Sequence, residues 1–156
     1  MPVQLARAAA VLAVDGVGLL THEAPDQWTP LAASNETAAL VACLERAAGD
    51  GPWQAATRTR RPVIATQELL TRQWPAFAER LLHQTPVRSI LVMPLSGRLH
   101  GRGFVMFCSV APDGVTTLPM IQLCTVTGLL AHELGSADDR APCHLHLTQL
   151  DTPHCR

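Results

Sequence analysis

The fold of this 156-residue chain is decided by two apolar segments in its second half, VRSILVMPL at residues 87–95 and GFVMFCSV at residues 103–110. Both segments are apolar on alternating and on intervening positions, with Ile90 and Val92 on one face and Leu91 and Met93 on the other. Strands of this kind are covered on both sides of their sheet. The short connection at 98–101 predicts that the two strands are antiparallel neighbours.

Helices and further strands surround this pair. Apolar residues at helical spacing predict helices at 2–13, 34–49, 74–84 and 117–134, and shorter apolar runs predict strands at 14–20, 28–33 and 62–65. A short helix and a basic loop are expected at 53–61. The resulting order predicts an α+β domain around a mostly antiparallel central sheet, with the two terminal helices packed on one face and segment 48–86 covering the other. We expect the domain at 1–135 and a flexible tail at 136–156.

Composition excludes several classes of protein. Hydrophobic residues make up 47% of the chain and charged residues 16%, which is typical of a domain with a real core. The formal net charge of −1 gives no general attraction to nucleic acid or anionic lipid. No apolar run spans a bilayer and the start has no export signal, so a cytoplasmic location is expected. All 12 basic residues are arginines, which excludes lysine chemistry.

Short motifs spread along the chain resemble one known family. In chain order they are LARA at 5–8, VDGVGL at 14–19, GPW at 51–53, PV at 62–63, WPAF at 74–77, VRSIL at 87–91 and GFVMFCS at 103–109. Together they resemble a GAF domain from about residue 5 to 134, and most closely the actinobacterial subgroup joined to an ANTAR RNA-binding output domain. Trp53 stands where that subgroup usually has cysteine. The 22 residues after Leu134 are too few for an ANTAR module.

The resemblance implies a regulatory function in signal transduction. It implies a PAS-like fold, a small ligand or chromophore held in a pocket, a homodimer formed through the N- and C-terminal helices, and a signalling protein as partner. The pocket is expected between the sheet and segment 48–86. Two aromatic walls with one charged anchor suit a small anionic or aromatic ligand, and the candidate ligand-binding residues are Trp53, Trp74, Arg88 and Met106. No direct contact with nucleic acid or membrane is expected, and the sequence requires no cofactor.

Two other functions stay open from the sequence. In the first, the domain is a dimerisation or interaction module whose pocket is filled by Trp53, Trp74 and Met106, and Arg88 pairs with an acid such as Glu79. In the second, Cys43, Cys108 and Cys124 serve a redox enzyme of the free methionine sulfoxide reductase type. We favour a packing role for these cysteines. Hydrolase motifs and paired carboxylates are absent from the sequence, so we expect no enzyme.

Three groups of polar residues are weaker candidates. Arg58, Arg60 and Arg61 suit an anion clamp but more often belong to a solvated loop. The histidines that a haem sensor would use are His83, His100 and His132, although a lone histidine is unspecific. Thiolate and imidazole are zinc ligands, but the spacing in the tail matches no standard finger; the tail candidates are Cys143, His144, His146, His154 and Cys155.

Overall fold

The computed structural model describes residues 1–24, 27–95 and 102–140, with the side chains of 22–24, 27 and 136–140 excepted. The expected connection at 98–101 and the tail beyond residue 140 lie outside the described residues. The helices are α1 (Pro2–Leu12), α2 (Glu36–Ala48), α3 (Pro52–Thr59), α4 (Gln67–Gln73), α5 (Pro75–Gln84) and α6 (Met120–Arg140). The strands are β1 (Gly16–Ala24), β2 (Gln27–Ala33), β3 (Val63–Ala65), β4 (Ser89–Pro94) and β5 (Gly103–Ser109). A 3₁₀ turn at Gly114–Thr117 precedes α6.

The five strands form one antiparallel sheet in the order β2-β1-β5-β4-β3. The two apolar segments of the second half are its neighbouring strands β4 and β5, with Leu91 opposite Phe107. Phe104, Met106 and Cys108 point to one side of β5, and Val105 and Phe107 point to the other. The predicted α+β architecture with a sheet covered on both faces is therefore confirmed.

Each face of the sheet has its own apolar core. The terminal helices α1 and α6 cover one face, where Leu5, Leu12, Leu123 and Leu130 pack on the sheet. Residues of α2 to α5 cover the other face. Of these helices, α3, α4 and α5 belong to segment 48–86, which was expected on this face. Within the described ranges, no helix is both long and apolar enough to cross a membrane.

The structure differs from the sequence expectation in two helices. The helix α4 was not predicted, and it begins where the Thr66 hydroxyl oxygen accepts a hydrogen bond from the Leu69 amide at 3.3 Å. The last helix is longer than expected, because α6 continues to Arg140, past residue 134 where the sequence placed its end.

Candidate functional site

The core on the sheet face that α2 to α5 cover includes Trp53, the second residue of α3. Pro52 occupies the first turn of this helix, where its missing amide hydrogen would have no partner in any case. The Trp53 side chain is 1% exposed, and its indole stacks on that of Trp28 with ring centroids 5.4 Å apart and an interplanar angle of 18°. Within the described part of the chain, Trp53 Nε1 is buried without a hydrogen-bond acceptor.

The start of α3 is held by a carboxyl group from α2. The amide of Trp53 donates to Glu45 Oε1 at 3.0 Å, and the amide of Gln54 donates to Glu45 Oε2 at 3.3 Å. These are two of the amides that a helix start leaves without partners, so Glu45 caps α3 from another helix. Gly51 lies against the same carboxyl group, and a side chain at this position would collide with it.

Burial dominates the electrostatics of Glu45. The residue is 2% exposed, and desolvation raises the pKa of its carboxyl group to about 8, with a smaller contribution from the nearby carboxylate of Asp50. The two backbone hydrogen bonds from Trp53 and Gln54 act in the opposite direction and lower this pKa, but burial outweighs them. Burial therefore disfavours the charged form of this carboxyl group, and the two amides partly offset that effect.

Three of the four predicted ligand-binding residues come together. Trp53, Trp74 and Met106 belong to one packed cluster between the sheet and the covering helices, which is where the pocket was expected. Arg88 does not join them. Its guanidinium group donates hydrogen bonds to the carbonyl oxygens of Leu82, Thr85 and Val87, at 3.4, 2.7 and 2.7 Å, and so closes the C-terminal end of α5.

Sequence reasoning missed Glu45 and Trp28. Glu45 follows Val41 by four residues on the buried side of α2, so a carboxylate within an apolar helical stripe was the available signal. Its partners are amides eight and nine residues further along the chain, which no local pattern reveals. Trp28 was assigned to a strand, but nothing in the sequence indicated that it would stack on Trp53.

The remaining candidates lie apart from this cluster. Arg58 pairs with Asp50 at 3.6 Å, and Arg60 and Arg61 are exposed. His83 on α5 and His132 on α6 are exposed, and His100 lies outside the described residues. The tail candidates Cys143, His144, His146, His154 and Cys155 also lie outside the described residues. Among those that are described, no group of three or more metal-ligating side chains comes together.

The three cysteines occupy different environments. Cys108 on β5 is fully buried, and burial raises the pKa of its thiol to about 12, aided by Asp15 and Glu45. Cys124 on α6 is exposed, and Cys43 on α2 is partly buried. Because the thiolate is the nucleophile, the raised pKa makes Cys108 a poor reactive group.

A surface groove of about 200 Å³ separates α1 and α6 on the opposite side of the sheet. Its apolar walls include Val11 and Leu129, which are 62% and 61% exposed. Arg7 from α1 and Glu133 from α6 line the same groove. Gln4 is also part of its wall, and the Gln4 Oε1 atom is buried without a partner among the described residues.

Comparison with known proteins shows likeness in structure only. No family model and no curated protein sequence matches the chain. A domain assigned to a two-component sensor histidine kinase from Sinorhizobium meliloti 1021 superposes with a TM-score of 0.64 at 13% identity, over 88% of this chain and 90% of that one.

Two similar structures are GAF domains of phosphoenolpyruvate-protein phosphotransferases. The domain from Acinetobacter gives a TM-score of 0.59 at 14% identity, over 91% of this chain and 84% of that one. The domain from Coxiella burnetii gives 0.57 at 15% identity, over 86% and 80%. With the same sheet covered by helices on both faces, the chain has the fold of a GAF domain.

Proposed function

We propose that this chain is a regulatory module of signal transduction that acts by pairing α1 and α6 with the same helices of a second copy. The observation that carries the proposal is the groove between these helices, which leaves Val11 and Leu129 more than half exposed. A role in signal transduction is supported by the fold, which the chain shares with domains of a sensor kinase and of phosphotransferases.

The chemistry of the groove suits a second copy of the chain. A twofold interface brings each patch against an identical patch, so the patch must be complementary to itself. This groove carries one positive and one negative residue, Arg7 and Glu133, beside apolar side chains.

Analytical ultracentrifugation tests the proposal. We expect the wild-type protein to be a dimer and the Leu129→Asp and Val11→Asp variants to be folded monomers, because a buried unpaired carboxylate opposes association. Leu130 is unsuitable for this test because it is 3% exposed and packs in the core. Ile64→Asp is the matched control, since Ile64 is an exposed apolar residue on the distant strand β3. A wild-type monomer, or variants that remain dimers, would refute the proposal.

A ligand-sensing function is the second candidate. It is favoured by the buried Trp53 Nε1, which lacks an acceptor that a ligand atom would provide. The packing of Trp53, Trp74 and Met106 into the expected pocket favours the interaction module instead. Native mass spectrometry separates the two, because only a ligand sensor would carry extra mass that is lost on denaturation. The link to ANTAR regulators and the cytoplasmic location stay predictions, and the redox enzyme stays an alternative that we do not favour.

A further inference from the structure

The two terminal helices carry very few charges. Among Asp, Glu, Lys and Arg side chains, α1 has Arg7 alone, and residues 120–135 of α6 have Glu133 alone. Both side chains are exposed, and both line the groove between the helices. A helix on a protein surface normally carries charged and polar residues on its outward face. Here each helix has a single charge, the two charges are opposite in sign, and both lie at the proposed interface.

Arg7 and Glu133 do not neutralise each other within one chain. With respect to the described residues, neither side chain takes part in an ion pair or a hydrogen bond. The apolar side chains of Val11 and Leu129, both more than half exposed, lie in the same groove. Each charge can therefore accept a partner of the opposite sign, beside an apolar surface that a second copy would shield from water.

A twofold axis allows two arrangements of these helices. With the axis along the groove, α1 of each copy lies on α6 of the other, so Arg7 faces the partner's Glu133 twice. With the axis across the groove, α1 lies on α1 and α6 on α6, and charges of the same sign approach each other. Like charges brought together at an interface oppose association. The charges therefore favour the arrangement of α1 on α6.

We propose that Arg7 and the partner's Glu133 form two reciprocal ion pairs across this twofold axis, and that these pairs select a second copy of the chain as the partner. The inference rests on the dimer proposed above and names the residues that determine its selectivity. Apolar contacts are non-directional, so the apolar side chains of the groove do not fix the partner by themselves. A chain that lacks either charge leaves an unpaired charge at the interface and is rejected.

The strength of such pairs depends on how much water they lose. Ion pairs at an open surface contribute little, because the solvent screens them. Pairs that close beside buried apolar side chains contribute more, and each pair occurs twice in a twofold dimer. Reversing one charge replaces two attractions by two repulsions. We expect the dissociation constant of the dimer to rise at least about 100-fold.

Charge reversal in the full chain tests the proposal, with the dissociation constant measured by analytical ultracentrifugation. We expect Arg7→Glu alone and Glu133→Arg alone to be folded monomers at concentrations where the wild type is a dimer. An equimolar mixture of these two variants should form a heterodimer, which native mass spectrometry identifies by its mass. The doubly reversed chain, Arg7→Glu with Glu133→Arg, should dimerise with itself but not with the wild type.

The matched controls reverse two exposed charges on α5, which packs on the other face of the sheet: Arg80→Glu and Glu79→Arg. These variants should dimerise as the wild type does. Circular dichroism checks that every variant remains folded, so that a monomer reports lost association rather than lost structure.

The outcomes separate this inference from the dimer itself. If Leu129→Asp gives monomers but the single charge reversals leave the dimer unchanged, the groove is the interface and the ion pairs are wrong. If the single reversals give monomers but neither the mixture nor the doubly reversed chain dimerises, the two charges do not pair with each other, which also overturns the inference. A wild-type monomer refutes the proposed dimer and the ion pairs with it.

Discussion

The backbone amide of Trp53 donates a 3.0 Å hydrogen bond to the side chain of Glu45, so a residue of α2 fixes the position of the indole that fills the centre of the fold. This contact joins the capping of one helix to the packing of the core. A substitution at Glu45 is therefore expected to alter the packing of the Trp28–Trp53 stack, and a substitution at Trp53 is expected to alter the hydrogen bonding of Glu45.

Replacing Glu45 by glutamine should remove a pH dependence of global stability. The pKa of Glu45 is about 8 in the folded protein and ordinary in the unfolded chain, so the folded state holds the extra proton. The free energy of unfolding of the wild type should fall by up to about 1.4 kcal/mol per pH unit between pH 5 and 8. Urea titrations at pH 5, 6, 7 and 8 measure it. Parallel curves for wild type and Glu45→Gln would contradict this assignment.

Gly51→Ala and Gly128→Ala should change stability in opposite directions. The φ of Gly51 is 169°, which any residue adopts, but its new Cβ would collide with the Glu45 carboxyl group. We expect a loss of about 2 kcal/mol. Gly128 lies inside α6 with open space around the position of a Cβ, so alanine should add about 1 kcal/mol through helix propensity. Urea unfolding measures both, and equal signs would refute this explanation.

The sheet was predictable because its strands carry strong local signals. Residues 87–95 and 103–110 are continuously apolar, and no helical pattern competes with them. Proline at the first turn marked α1 and α5. The helix α4 was missed because its seven residues span fewer than two turns, which is too short for a helical period to stand out.

The site was predictable only for its apolar members. Large buried side chains such as Trp53 and Trp74 converge because a core gathers them. The hydrogen-bond partners of Arg88 were not predictable, because they are backbone carbonyl oxygens. Every residue has such an oxygen, so the sequence does not indicate which ones a guanidinium group contacts. Glu45 was missed for a related reason, because its partners are backbone amides of another helix.

Trp53→Ala should create a cavity that binds indole. Removing a buried aromatic side chain costs about 4 kcal/mol, and the vacated space lies against Trp28. Apolar cavities of this kind stay dry and accept small aromatic molecules. We expect indole to raise the melting temperature of Trp53→Ala and to leave that of the wild type unchanged, as measured by differential scanning calorimetry. An equal rise in both proteins would indicate binding elsewhere.

Arg88→Gln should lower stability in the absence of any ligand. The charged guanidinium group donates to the carbonyl oxygens of Leu82 and Thr85 at the end of α5 and of Val87 beyond it, and glutamine cannot reach all three. Hydrogen bonds from charged groups contribute about 2 kcal/mol, so a loss of this order is expected in urea unfolding. Arg80→Gln is the control, because Arg80 is an exposed arginine within α5. Unchanged stability in Arg88→Gln would point back to a ligand-binding role.

Alkylation of the native protein should distinguish Cys124 from Cys108. Cys124 is exposed on α6, whereas Cys108 is buried on β5 with a thiol pKa of about 12. At pH 8 iodoacetamide should therefore modify Cys124 quickly, and Cys108 only at the rate at which the domain unfolds. Peptide mapping by mass spectrometry after short reaction times measures each site separately. Because a redox enzyme needs an accessible thiolate, modification of native Cys108 as fast as Cys124 would favour the reductase hypothesis, and its protection would favour a packing role for this cysteine.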